Sequence, residues 1–124
     1  MKLELSRPDG SNQITSCGAG FVAVNGRRYE RSLVVSAERI DADWPVAELA
    51  ALGPQHLEPL VDARPEVVLL GTGTRLQFPR PEVLRPLVEA GIGYEVMDTG
   101  AACRTYSILV GEGRRVVAAL IVGA

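Results

Sequence analysis

Val67-Val68-Leu69-Leu70-Gly71-Thr72-Gly73-Thr74 is the stretch that decides the fold. Four consecutive aliphatic residues run straight into a small polar loop, with no alternation to mark a solvated face. A strand of this kind has to be covered on both sides, which places it inside a layered sheet. Tyr94 to Met97 followed by Asp98-Thr99-Gly100 repeats the arrangement. In open α/β sheets ligands collect outside the carboxyl ends of parallel strands, so these two loops are expected to face one shared pocket.

Working outward, strand and helix signals alternate. Pro81 to Ala90 reads as a helix begun by a first-turn proline, with Leu84, Leu87 and Val88 on one face and Gly91 ending it. Ala101 to Val110 carries Ala102, Tyr106, Leu109 and Val110 at helical spacing, and Gly111 and Gly113 break it. Val116 to Val122 then returns as a strand apolar on both faces. Residues 66–122 therefore read as strand-helix-strand-helix-strand.

The amino-terminal part obeys a different grammar. Residues 1–42 read mainly as short antiparallel strands. Phe21, Val22 and Val24 lead into Asn25-Gly26, and Tyr29, Leu33, Val34 and Val35 follow. Asn-Gly favours the type I′ turn, whose positive φ angles match strand twist, so residues 20–36 are read as a hairpin. Between the halves, Leu49 and Leu52 precede Gly53-Pro54, and Leu57, Leu60 and Val61 recur at three-and-four spacing. That pattern predicts a short turn and then a short helix.

The chain has 124 residues, 47% of them hydrophobic and 23% charged, which suits one globular domain over 1–124. Arginine supplies twelve of the thirteen basic residues, yet acidic residues are interleaved and the net charge is only −2. The densest cluster, Arg27, Arg28 and Arg31, contains Glu30 and is read as a solvated hairpin face, so no nucleic-acid partner is expected. Val116 to Val122 is the longest apolar run, far short of the roughly 20 residues that span a bilayer. No charged-then-apolar leader is recognised, and the expectation is a cytoplasmic protein with no membrane partner. Cys17 and Cys103 are too few for a disulfide framework and are read as free thiols, with no metal site and no cofactor expected.

Candidate chemistry gathers at the two loops, at Gly71, Thr72, Gly73, Asp98, Thr99, Cys103 and Arg104, with no catalytic set among them. Gly71 to Thr74 lacks the Lys-Ser/Thr of a nucleotide loop and the spacing of a dinucleotide fingerprint, leaving a tight turn or a weak cradle for a small anion. Asp98 or Thr99 can cap the helix that follows. Arg104 lies early in that helix, where a cation opposes the macrodipole unless an anion or Asp98 offsets it. Cys103 is either a buried small side chain or a thiol activated by the helix terminus and Arg104. His56, the single histidine, is read as a helix-surface residue, and Glu112 with Arg114 and Arg115 as a charged turn.

The run Val67 to Thr74, Phe78-Pro79, Gly91-Ile92-Gly93, Glu95 to Thr99, Ala101 to Tyr106 and Gly111 to Val116 resemble a small family. It includes the mitochondrial respiratory complex I assembly factor 3 and the adipogenesis-associated domain protein, with many uncharacterised bacterial members. Gly20-Phe21, Tyr29 and Trp44-Pro45 extend the resemblance toward the amino terminus. It implies a three-layer α/β fold: a mixed central sheet with helices on one side, and an additional antiparallel β layer plus a helix on the other. It also implies no established enzymatic activity, and action through protein partners in the eukaryotic members. After Thr105-Tyr106 the family usually has Asn, where this chain has Ser107.

Two functional expectations follow. The first is a non-catalytic protein-interaction or assembly module, self-associating or bound to another protein. The second is a binder of a small anion or metabolite, or an unrecognised enzyme, using the pocket between the Gly71-Thr74 and Asp98-Arg104 loops.

Overall fold

A computed structural model describes residues 10–123. Its centre is a five-stranded sheet made of β4 (Leu33–Ser36), β5 (Ile40–Asp41), β6 (Val67–Gly71), β7 (Gly93–Met97) and β8 (Val116–Leu120), in the order β5-β4-β8-β6-β7. β6 pairs in parallel with β7 on one side and with β8 on the other, whereas β4 runs antiparallel to β8. The sheet is therefore mixed, as expected.

Burial on both faces explains the uninterrupted aliphatic spelling of β6 and β8. Val67 and Leu69, with Val116, Ala118 and Leu120, enter the core on one face. Val68 and Leu70, with Val117, Ala119 and Ile121, enter the core on the other. Side chains alternate between faces along a strand, so each residue of the run has a core to fill.

One face is covered by α1 (Pro54–Val61) and α2 (Arg85–Glu89), which bring Leu57, Leu60 and Leu87 onto the sheet beside Trp44 and Val46. The other face is shared by α3 (Thr99–Gly111) and a separate antiparallel sheet of β1 (Ile14–Gly18), β2 (Phe21–Val24) and β3 (Arg27–Tyr29). From these come Ala102, Cys103, Tyr106 and Val110, and Ile14, Val22 and Val24. The architecture is the three-layer α/β arrangement implied by the resemblance.

Asn25 and Gly26 take φ values of 54° and 83°, the doubly positive pair of a type I′ turn, and join β2 to β3 in register. The second arm ends sooner than the sequence suggests. Tyr29 is its last residue, and Leu33 to Ser36 leave the hairpin to pair with β8 in the central sheet. The charged stretch Glu30 and Arg31 carries the chain between the two sheets. Residues 1–9 of the segment read as antiparallel strands lie outside the described residues.

The helix expected over Pro81 to Ala90 is divided into a 3₁₀ turn, Pro81–Leu84, and α2. Pro86 supplies the reason: it has no N–H to donate to the carbonyl of Glu82 and its ring crowds that carbonyl, so an unbroken α-helix is disfavoured there. The division rotates the apolar face, so Val83, Leu84 and Leu87 are buried while Val88 points outward. His56 also differs from expectation. It is half-buried, and its Nδ1 accepts the backbone N–H of Gly53 at 2.9 Å, closing the first turn of α1, while its carbonyl accepts Trp44 Nε1–H at 3.2 Å.

Tyr106 ties the layers together. Its ring is fully buried in the α3 face of the core, and its hydroxyl donates to the carbonyl of Asn12 at 2.9 Å. Tyr106→Phe is expected to lower unfolding free energy by about 1 kcal/mol, the net worth of one such bond, in a urea titration.

Candidate functional site

The carboxyl ends of β6, β7 and β8 lie side by side, with Gly71 opposite Met97 on one flank and Leu120 on the other. The chain leaves β6 toward α2 and leaves β7 toward α3, so the two connections depart to opposite faces of the sheet. That divergence is what opens a crevice at strand ends.

Thr99 holds the crevice in shape. It is buried at the first turn of α3, donates its hydroxyl to the carbonyl of Ile121 at 2.7 Å, and accepts the N–H of Gly73 at 2.9 Å. The backbone doubles the link, with Thr99 N–H on the carbonyl of Gly73 and Thr72 N–H on that of Met97, both at 2.9 Å. Gly71 permits the approach: a Cβ there would stand 2.9 Å from Thr99 Oγ1 and 3.1 Å from Leu120 Cδ2. Gly73 turns with φ of 102°, a left-handed conformation that disfavours a side chain. The hydroxyl of Thr72 is spent within its own loop, donating to the carbonyl of Arg75 at 2.6 Å and accepting Gln77 N–H at 3.2 Å.

Asp98 caps α3, its Oδ1 accepting Ala101 N–H at 2.9 Å. Arg104 is exposed, and it makes no ion pair with Asp98 within 4.0 Å among the described residues. Its guanidinium lies along the first turn, with Nη1 3.5 Å from where a Gly100 Cβ would stand and Asp98 Oδ1 3.3 Å from the same point.

A groove of about 280 Å³ opens here. One wall is Gly73, Thr74, Asp98, Thr99, Gly100 and Arg104, the floor is Ile121 to Gly123, and the far wall is Cys17 to Phe21. Of the seven residues singled out from the sequence, Gly73, Asp98, Thr99 and Arg104 line it; Gly71, Thr72 and Cys103 stand behind the lining. The far wall is what sequence reasoning missed. The Gly18-Ala19-Gly20 turn was its one local signal, and nothing local to that turn says which strand ends it faces. A larger cleft of about 490 Å³ between α1 and α2 is lined by Glu58, Asp62, Glu82, Arg85 and Glu89 and includes neither loop.

Cys103 is buried and Cys17 half-buried, and both are free thiols. Burial pushes the Cys103 thiol far above its ordinary value, the adjacent Cys17 adds to the rise, and Arg104 offsets only part of it. At neutral pH Cys103 therefore rests as the thiol and is not an activated nucleophile toward molecules arriving from solvent. Ser107 donates to the carbonyl of Cys103 at 3.2 Å, within its own helix. Among the described residues no group of three or more His, Cys, Asp or Glu side chains is placed to hold a metal ion, and no helix is long and apolar enough to cross a membrane. The arginines of the hairpin lie on its own rings, Arg28 3.9 Å from the centroid of Phe21 and Arg27 5.3 Å from that of Tyr29. Arg28 also pairs with Glu30 at 3.0 Å.

A three-layer α/β chain with a groove at its parallel strand ends defines a recognisable class. Residues 14–121 match the family described as protein of unknown function (DUF498/DUF598), and the chain belongs to that family. The NADH dehydrogenase (ubiquinone) 1 alpha subcomplex assembly factor 3 of Bos taurus is 45% identical over 104 residues, which cover 82% of this chain and 55% of that protein. The chain thus spans little more than half of the bovine assembly factor. A 13 kDa major membrane protein of Francisella tularensis is 28% identical over 103 residues, covering 82% of this chain and 84% of that one. Among solved structures, a Bordetella parapertussis protein superposes with a TM-score of 0.88 at 42% identity, covering 94% of this chain and 100% of its own. A Bordetella pertussis protein described as an Mth938-like domain gives 0.81 at 35% identity, covering 98% and 92%.

Thr99→Val keeps the shape of the side chain and removes both hydroxyl bonds, leaving Ile121 C=O and Gly73 N–H buried without partners. A loss of about 2–4 kcal/mol is expected in chemical denaturation, with Thr99→Ser retaining most of the stability.

Proposed function

We propose that this chain is a non-catalytic interaction module that docks a protein partner in the cytoplasm, as an assembly factor does. The observation that carries the reading is where its large exposed apolar side chains fall. Of the five among the described residues, Leu76, Phe78 and Val88 lie in the crossover between β6 and the edge strand β7 and Tyr94 lies in β7 itself, while Ile108 stands apart on α3. Phe78 is 73% exposed, and among the described residues β7 has a hydrogen-bonded neighbour on one side only. An exposed apolar segment beside an open strand edge is what a partner surface offers, and a monomer gains nothing from keeping it in water. The kinship with complex I assembly factors supports a partner that is a protein, and self-association through this segment is the other form the same reading takes.

A second reading rests on Arg104. Its guanidinium stands unpaired on the groove wall, so a small carboxylate or phosphate could sit between it and the Gly100 backbone. Asp98 weighs against this, because its carboxylate already occupies the helix terminus and would repel a second anion.

Co-purification of tagged protein, followed by cross-linking and size-exclusion chromatography, separates the readings. The Leu76→Asp/Phe78→Asp variant is expected to lose the partner or the dimer at unchanged melting temperature, and Arg104→Ala to retain it. A partner held equally by both variants would overturn docking at residues 76–94. A small anion that co-elutes with the wild type and is lost from Arg104→Ala would make the groove the functional site.

A further inference from the structure

Cys17 and Cys103 meet across the seam between the antiparallel layer and α3. Cys17 lies in β1, half-buried, and lines the groove where solvent reaches it. Cys103 lies on α3, 4% exposed, within the core against which Cys17 packs. The two side chains are close enough to interact directly through their thiols. β1 packs directly on α3, and Cys17 and Cys103 are the free thiols of that seam among the described residues. Neither docking at residues 76–94 nor the groove's polar wall gives it a role. One thiol reachable from water and a second held behind it by the core form the arrangement in which an outer thiol meets an oxidant and an inner one resolves the product.

We propose that Cys17 and Cys103 are a redox-active dithiol, converted by a low-molecular-weight disulfide into an intramolecular disulfide that ties β1 to α3 across the groove wall. With glutathione disulfide as oxidant, Cys17 gives its proton to solvent and its sulfur attacks one glutathione sulfur. The bond between Cys17 and that sulfur forms, the glutathione S–S bond breaks, and one glutathione leaves as its thiolate. The Cys103 sulfur then attacks that of Cys17, its proton passes to the departing second glutathione, and the Cys17–Cys103 bond forms as the mixed disulfide breaks. Two protein thiols are oxidised by two electrons, one glutathione disulfide is reduced to two glutathione thiols, and excess thiol reverses the sequence. Burial shields Cys103 from outside reagents and slows its attack, while proximity to Cys17 supplies the rate. The bond closes a loop over most of the chain, which restricts the unfolded state, and it fixes the Cys17 to Phe21 wall against α3.

The full chain is incubated with glutathione disulfide, its intact mass is recorded, and its peptides are mapped without reduction. The wild type is expected to lose about 2 Da, to yield one Cys17–Cys103 linked peptide, to run as a single chain on a non-reducing denaturing gel, and to return to its starting mass with dithiothreitol. Cys17→Ser should stay unmodified, and Cys103→Ala, which keeps the core apolar, should stop at a glutathione adduct of about 305 Da on Cys17. The oxidised wild type should melt at a higher temperature than the reduced one. The wild-type mass needs no variant to fold, so the inference stands or falls on it. A wild type that stops at the glutathione adduct, that cross-links two copies through Cys17, or that remains unmodified overturns the inference.

Discussion

The Thr99 hydroxyl is the contact on which the strand-end geometry depends. As donor to Ile121 and acceptor from Gly73, it joins the ends of β8 and β6 to the first turn of α3 with a single oxygen. Threonine suits the position because one group both gives and takes a bond, and its Oγ1 and Cα sit close against Gly71, where a Cβ would intrude. The polar atoms used this way face inward. What the groove offers to a visitor is consequently a short inventory: the Asp98 carboxylate, the Gly100 backbone, the Arg104 guanidinium, the Cys17 thiol, and the Phe21 ring beneath Arg28.

Geometry explains why the fold needs an antiparallel layer at all. Five strands at about 4.8 Å spacing make a sheet more than 20 Å wide, and one helix about 10 Å across covers roughly two of them. On the face that carries α3, the strip under β4 would be left wet. Val22 and Val24 of β2, with Ile14 of β1, enter the same cluster as Leu33 and Val35 and so finish the cover. The hydroxyl of Tyr106 reaching Asn12 is the polar counterpart of that closure.

The sequence made legible whatever depends on neighbours along the chain. The two-faced aliphatic runs of β6 and β8 announced central strands, Asn25-Gly26 announced its turn, and the polar Asp98-Thr99 followed by small residues announced the start of α3. What stayed hidden depends on the third dimension. The passage of the chain from one sheet to the other after Tyr29 is a choice of partner for Leu33 to Ser36, and period-two hydrophobicity reads the same in either sheet. Pro86 inside an apolar helical pattern was visible, but the rotation it imposes, which turns Val88 outward, is a packing outcome. The Cys17 to Phe21 wall was hidden for the same reason: strand ends and hairpin turn are distant in sequence, and only burial of the common core brings them together.

The groove and the exposed apolar crossover are two ends of one device. Gly73 and Thr74 form part of the groove wall, and within a few residues the same loop presents Leu76 and Phe78 to solvent. At the root of that loop stands Thr72, whose hydroxyl donates to the carbonyl of Arg75 and accepts Gln77 N–H and so fixes the path by which the chain turns from one surface to the other. The crevice and the apolar segment therefore share one loop, and its course is set by the bonds of a buried hydroxyl that belongs to neither surface.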